Sequence, residues 1–281
     1  MRTIIHLSDL HFGRVAQPLL DFVHAARPDL VVVSGDLTQR ARPVEFLAAR
    51  AFLDQLPGPL QVVPGNHDIP LYNLAVRFTR PLQKYRRYVC PDLSPFFLDA
   101  EIAVAGLNTA RSLTTKYGRL NPSQVAGLRE RFRGISGEVT KIVVTHHPFD
   151  LPPGYANPHQ LVGGAQAAMA AMAASGVDLL LSGHLHLTHT ALTAGRYKLA
   201  GHSALVVQAG TATSNRGRGE ANSFNCLQIE PGNISVEQIL WNPGSRCLTR
   251  GGAAHFHRTA AGWQPRPALE THGISNPTPP A

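Results

Sequence analysis

Five short runs in the first two-thirds of the chain are almost wholly apolar: Thr3–Ser8 (TIIHLS), Asp29–Ser34 (DLVVVS), Leu60–Val63 (LQVV), Lys141–Thr145 (KIVVT) and Asp178–Ser182 (DLLLS). They lack the in–out alternation of a strand with one wet face. Runs of this kind suit a parallel sheet covered on both sides. Between the first three lie two helical patterns. Pro18–Ala26 is short. Pro43–Leu56 is the clearest helix of the chain, with Pro43 suited to a first turn and Phe46, Ala49, Leu53 and Leu56 holding a 3.6-residue stripe. The order β-α-β-α-β implies parallel strands joined by crossovers.

Residues 71–89 are helical in pattern, broken at Pro81 and rich in Arg, Lys and Tyr, which predicts a lid or cap segment beside a site. Phe96–Leu98 and Ile102–Leu107 read as a strand pair, Asn121-Pro122 opens a helix to about Phe132, and Ala165–Ser175 is a helix closed by Gly176. Asp150–Gly164 has no periodicity, and a loop of that length is more often functional than idle. The last third changes character. Thr188–Leu199 reads as a hairpin about Ala194-Gly195, followed by strands at Ala204–Ala209, Ser223–Glu230 and Ile234–Trp241, the last two joined by Pro231-Gly232-Asn233. Helical patterns are missing there, so this part is expected to be antiparallel. The expected organisation is a single domain over 1–263 and a Pro-rich, frayed tail over 264–281.

Each of the five apolar runs ends in side chains of the kind that bind metals: Asp9 and His11, Asp36, Asn66, His146, and His184 with His186. In α/β sheets ligands gather at the carboxyl ends of the strands, so these residues are expected to converge on one crevice. Seven O/N donors are too many for one tetrahedral zinc but suit two ions that share a carboxylate. Such pairs, roughly 3.5–4 Å apart, commonly serve phosphoester hydrolysis. With no thiolate in the set, the expected cations are Mn or Fe, with Zn or Co also compatible.

Composition narrows the classes. The 281 residues carry ordinary apolar content but only 16% charged residues, with 14 His. The formal charge of +8 favours anionic partners, yet it is scattered without a long Lys/Arg run, so nucleic acid ranks below a small phosphodiester. Three distant cysteines form no CxxC pair, which indicates neither a disulfide frame nor a cysteine zinc site and fits a reducing cytoplasm. The opening MRTIIHLSD has no long apolar core, so no signal peptide is expected, and no apolar run approaches the ~20 residues of a membrane span.

Asp9-x-His11, Gly35-Asp36, Gly65-Asn66-His67-Asp68, His146 in His146-His147-Pro148, and Gly183-His184-x-His186 resemble, in order and rough spacing, the five blocks of the calcineurin-like metallophosphoesterases. The resemblance covers about Thr3 to His189. HLSDLHFG, GDLTQRA and AGTATSNRGRGEANSFN are further similar to the bacterial class III cyclic-nucleotide phosphodiesterase and exonuclease-like branch. It implies an α/β fold, a two-sheet sandwich flanked by helices. By motif, one cation would be held by Asp9, His11, Asp36 and His186, and the other by Asp36, Asn66, His146 and His184. A hydroxide bridging them would attack phosphorus in line. His67 would protonate the leaving alkoxide or hold the phosphate, with Asn66 stabilising charge and Asp68 orienting the His67 ring. Arg216 and Arg218 would add anion contacts. One departure is informative. The phosphoprotein phosphatase branch reads GDxxDRG, whereas this chain runs Gly35-Asp36-Leu37-Thr38-Gln39-Arg40. The second aspartate of that pattern is missing, which argues against a phosphoprotein substrate.

The implied function is hydrolysis of a small anionic diester, a 3′,5′-cyclic nucleotide first. The alternatives are an exonuclease-like activity on nucleic acid, a glycerophosphodiester or nucleotide hydrolase, and a scaffold without chemistry. Substrate choice is expected to lie in 71–89 and 150–164. Other histidines have plainer readings. His147 is expected beside the site, His189 and His202 as satisfied or supporting residues, and His255 and His257 on a surface strand. Tyr85, Arg86, Arg87 and Tyr88 leave three readings open: a solvated helix face, a lid, or the face of a homodimer.

Overall fold

Why the apolar runs have no wet face is visible in the layering. Each lies in a sheet with core on both sides. The computed structural model describes residues 1–11, 16–199, 201–214 and 220–266. β1 (Arg2–Leu7), α1 (Ala16–Ala26), β2 (Leu30–Val33), α2 (Pro43–Leu53) and β3 (Leu60–Val62) form the expected β-α-β-α-β unit, with β1–β2 and β2–β3 parallel. Two short helices follow, α3 (Leu74–Thr79) and α4 (Gln83–Tyr88). The second unit comprises β4 (Phe96–Leu98), β5 (Ile102–Gly106), α5 (Pro122–Phe132), β6 (Thr140–Val144), α6 (Ala165–Ala174), β7 (Leu179–Ser182), β8 (His189–Leu192) and β9 (Leu205–Gln208). β10 (Ser223–Glu230), β11 (Asn233–Asn242), β12 (Cys247–Thr259) and β13 (Gly262–Pro265) close the chain. The strands form two sheets, ordered β13-β12-β11-β10-β1-β2-β3 and β4-β5-β6-β7-β9-β8.

Strand parity sorts the side chains into three cores. Ile4, Val32, Val144, Leu181, Val207 and Leu227 meet between the sheets. Ile5, Leu7, Val31 and Val33 point the other way, against Leu19 and Val23 of α1 and Phe46, Ala49 and Phe52 of α2. Val143, Leu180 and Val206 pack against Leu128 and Phe132 of α5 and Met169 and Met172 of α6. The result is a helix–sheet–sheet–helix stack, in which each buried aliphatic side chain contributes roughly 1.5–3 kcal/mol. α2 starts where the sequence places it. Pro43 opens it, and the Glu45 carboxylate accepts the backbone N–H groups of Arg40 and Arg42 at 3.0 Å each.

Three expectations need correction. The hairpin over 188–199 does not form. His189–Leu192 pairs instead with Leu205–Gln208, and Thr193–Gly195 is a 3₁₀ turn at the start of a longer connection. The last part is not purely antiparallel, because β9 pairs parallel with β7 and extends the second sheet. The chain beyond Trp241 also holds β12, the longest strand, and β13, which includes Gln264 and Pro265. Of β12 only the surface strand at His255 and His257 is expected from the sequence; all but one of its residues are exposed or half-buried, so its full length carries no apolar run. His255 and His257 lie on it, as expected. Trp263 of β13 is buried and donates to Asp178 Oδ1 at 2.9 Å, pinning this hairpin across the sandwich. Residues 267–281 of the expected tail lie outside the described residues. Among the described residues, no helix is long and apolar enough to cross a membrane.

Candidate metal centre

The five strands that end in polar blocks are β1, β2 and β3 of one sheet and β6 and β7 of the other. Their carboxyl-terminal loops meet at one end of the sandwich. The backbone there is unusual. Of the eight non-glycine residues with positive φ among the described residues, five are Asp9 (52°), His11 (36°), Asp36 (54°), His184 (75°) and His186 (58°). Each such residue costs of order 1–3 kcal/mol, a strain that persists only where the surroundings over-determine it. The loops also approach too closely for a side chain at Gly35, Gly65 and Gly183. A Cβ on Gly65 would overlap Asp36 Oδ1, and one on Gly183 would overlap Ser8 Oγ and press on Asp9 Oδ2.

Five of the seven candidate ligands are anchored through one atom and offer another inward. His11 Nδ1 donates to the Thr38 carbonyl at 2.9 Å, which leaves Nε2 facing the cluster. His146 Nδ1 donates to the Ser34 carbonyl at 2.8 Å, which likewise frees Nε2. Asp9 Oδ2 accepts from Ser8 Oγ at 2.7 Å and from the His184 N–H at 3.0 Å. Asp36 Oδ1 accepts from the His67 N–H at 2.8 Å, and Asn66 Nδ2 donates to the Thr115 carbonyl at 3.2 Å. Such outer contacts fix the tautomers and the amide orientation that metal binding requires.

The inward atoms fall into two linked groups. In one, Asp9 Oδ1 lies 3.1 Å from His186 Nε2, and His11 Nε2 lies 3.9 Å from Asp9 Oδ1 and 3.8 Å from Asp36 Oδ2. In the other, His146 Nε2 lies 3.3 Å from Asp36 Oδ2, 3.1 Å from Asn66 Oδ1 and 3.2 Å from His184 Nδ1. Donors that each sit ~2.1 Å from one small cation are themselves about 3–3.5 Å apart. His11 Nε2 is buried and has no hydrogen-bond partner, a costly state unless a cation supplies the missing contact. The donor set therefore fits a binuclear site, with Asp36 between the two groups.

Charge reinforces the fit. Burial alone would raise the Asp36 carboxyl, but His146 outweighs it and holds Asp36 well below the usual carboxylate range. Burial and His186 oppose each other in the same way at Asp9, which is also pulled down. Burial lowers His146, yet Asp36 and Asp9 more than offset it and raise its pKa to about 9. His184 is driven down to about 3 by burial and then by His146. Two charged carboxylates facing four imidazoles favour positive charge at their centre.

His147 lies close to His146 and His184, but both of its nitrogens are occupied, by Thr109 Oγ1 at 2.8 Å and the Lys116 carbonyl at 3.1 Å. It stands beside the site, as expected, and helps hold the loop above it. Asp68 does not orient the His67 ring. That ring donates through Nδ1 to the Gln39 carbonyl at 2.9 Å. Asp68 is fully buried and accepts from Gly65 N (2.9 Å), Thr38 N (3.0 Å), Leu37 N (3.3 Å) and Thr38 Oγ1 (3.1 Å), so it ties the loop after β2 to the loop after β3. The 3₁₀ turn Asn66–Asp68 points successive side chains in different directions, which adjacency in the sequence conceals. Arg216 and Arg218 lie outside the described residues. Thr211, earlier in the same stretch, braces Asp9 by donating to its carbonyl at 2.9 Å.

A cavity of about 310 Å³ opens over the cluster, lined by Asp36, Asn66, His67, His184 and His186 on its floor. Its walls are Ile69, Leu71 and Arg77 from the 71–89 side and Thr115 and Lys116 from the segment after β5, while no residue of 150–164 lines it. The wall formed by 115–116 was not legible, because neither residue belongs to a motif or a periodic run. Arg77 is buried and donates to the carbonyls of Ser112 (2.7 Å), Pro70 (3.1 Å) and Thr114, fastening that wall to α3.

Comparison with known proteins follows the same outline. Over 175 residues the chain is 31% identical to the glycerophosphodiester phosphodiesterase GpdQ of Enterobacter lignolyticus (strain SCF1), covering 54% of this chain and 59% of that protein. Over 257 residues it is 26% identical to the cAMP/cGMP dual specificity phosphodiesterase MT0825 of Mycobacterium tuberculosis (strain CDC 1551 / Oshkosh), covering 82% and 77%. The chain thus spans less than two thirds of the length of the first of these relatives. In fold it matches the structure of PhoD with a TM-score of 0.66 at 11% identity, over 97% of this chain and 72% of that one. The calcineurin-like phosphoesterase profile matches residues 2–187, which hold all five polar blocks and every inward-facing donor described above, and the chain belongs to that family.

Proposed function

We propose that the chain is a metal-dependent phosphodiesterase acting on a small anionic diester, a 3′,5′-cyclic nucleotide first among the candidates. The observation that carries this reading is the convergence of seven donors, from five strand ends, into two groups that share Asp36. Asp9, His11, Asp36 and His186 would hold one divalent cation, and Asp36, Asn66, His146 and His184 the other. The all-O/N donor set favours Mn or Fe. When bound, such a pair supplies an acidified water and positive charge against phosphoryl oxygens.

The protein's own groups then have defined tasks. With Nδ1 committed to the Gln39 carbonyl, His67 presents Nε2 to the cavity, where it delivers a proton to the leaving alkoxide. Lys116 adds positive charge at the wall, and Ile69 and Leu71 give the organic part of the diester an apolar surface. A cavity of about 310 Å³ lies within the range of small-molecule sites, which favours a single nucleotide over a polymer. The long alignment with a cAMP/cGMP phosphodiesterase supports the cyclic nucleotide, and the higher identity with a glycerophosphodiester phosphodiesterase supports the second reading.

The experiment is hydrolysis of bis(p-nitrophenyl) phosphate, then of cyclic AMP and glycerophosphocholine, with chelator and with Mn, Fe, Zn or Co restored. The expected result is activity abolished by chelator and regained with Mn or Fe, with cyclic AMP preferred. His67→Ala should lower turnover at least ~100-fold on diesters with poor leaving groups while leaving metal content intact. Failure to cleave any diester with any of the four metals overturns the proposal.

A further inference from the structure

The cavity over the metal centre has a neighbour. Ile69 forms part of the wall of both, and the second cavity, of about 500 Å³, lies between the segment joining α3 to α4 and the loop after β5. Its floor is apolar, made by Ile69 and Leu82, both nearly inaccessible, with Leu93 beside them. Its charged groups are all of one sign. Arg80, Arg86 and Arg111 line it, and no carboxylate does. Among the described residues, none of the three pairs with an acid, whereas Arg50, Arg196 and Arg258 do.

Arg111 makes the case specific. Its Nη1 donates to the carbonyls of Asn108 (3.2 Å) and Ala110 (2.8 Å), and Nη2 donates to Gln124 Oε1, which fixes the guanidinium plane. Its Nε is buried with no partner at all. Burial, with Arg119 nearby, pushes this guanidinium below its ordinary pKa, which marks a cation drawn out of water without a counter-charge. Three cations line an apolar hollow that holds no counter-charge, and a bound anion supplies one. Asn108, Ser112 and Asn121 add neutral hydrogen-bonding groups at the rim.

We propose that this second cavity is a binding site for a phosphate monoester with a small organic body, separate from the site of hydrolysis. The dianionic phosphate meets Arg80 and Arg86, whose forked donors suit phosphate oxygens, beside the fixed charge of Arg111, and the organic part lies on Ile69, Leu82 and Leu93. The volume suits one nucleotide or sugar phosphate. The inference does not depend on the proposed hydrolysis, because it concerns binding alone.

The test is calorimetric titration of the full chain with adenosine 5′-monophosphate, ribose 5-phosphate, inorganic phosphate and adenosine. It is run on the wild type, on Arg80→Ala/Arg86→Ala and on His67→Ala. Arg80 and Arg86 are exposed, so the double variant is expected to keep the fold, which circular dichroism verifies. Expected is binding of the two organic monoesters that weakens at least ~10-fold in the double-arginine variant and is unchanged in His67→Ala. The proposal is overturned if the arginine changes leave binding intact, if the loss follows His67→Ala instead, or if inorganic phosphate or adenosine binds as tightly as the monophosphate.

Discussion

One seven-stranded sheet contains two very different halves. On the β1–β2–β3 side, parallel strands run from dry core straight into loops of positive φ, buried carboxylates and unpartnered donor atoms. On the β10–β13 side, antiparallel strands follow one another through short turns, and most side chains of β11 and β12 are half-buried or solvated. The first half places local strain and charge where chemistry is proposed. The second fastens the sandwich, through Trp263 and Arg258 converging on Asp178. Strain at a functional end survives because packing elsewhere over-determines the fold.

Substitutions can separate the two halves. The largest expected effect is that of Asp36→Asn, which keeps the oxygen facing the His67 N–H but removes the shared charge. Diester hydrolysis should fall by at least ~1,000-fold, about 4 kcal/mol, while thermal melting of the metal-free protein does not drop. A melting temperature that collapsed with the activity would erase the contrast. Trp263→Ala should do the opposite, lowering stability by about 3–5 kcal/mol in urea titration and leaving metal content and turnover intact below the transition. A turnover defect in the folded variant would show that the hairpins reach the site.

Two smaller effects sharpen the picture within the strained half. Asp68→Ala leaves the N–H groups of Leu37, Thr38 and Gly65 without their acceptor and should cost about 2–3 kcal/mol of stability. The pH profile of the remaining activity should keep its shape, because Asp68 does not touch the His67 ring. A displaced profile would restore an orienting role. Arg77→Met should be the mildest, weakening uptake of one of the two cations ~10-fold in a calorimetric metal titration. The route is through the 112–115 wall, whose Thr115 carbonyl orients the Asn66 amide. Equal affinities for both cations in wild type and variant would show that Asn66 is held without it.

The five strands and the donor side chains at their ends were legible because burial on both faces and metal-type side chains each leave a local mark. Asn66 and Asp36 could be named from their own strand ends alone. β12 left no such mark, since a solvated strand resembles a loop in composition. The false hairpin at 188–199 arose because a Gly-containing 3₁₀ turn resembles a two-residue turn when the distant partner, β9, is out of view. Asp68 and the 115–116 wall were misjudged or missed because their roles depend on which loop lies opposite.

What the sequence settled alone was the alternation of dry strands and amphipathic helices, and the inventory of donors at the strand ends. Both depend on residue type and short-range period, which the chain carries in itself. Tertiary structure decided which atom of each donor is tied down and which faces inward. It also decided that Asp36 stands between the two groups, and that three arginines share a second hollow. Those facts concern contacts between segments thirty to two hundred residues apart, and only the packing of two sheets brings such segments within hydrogen-bonding distance.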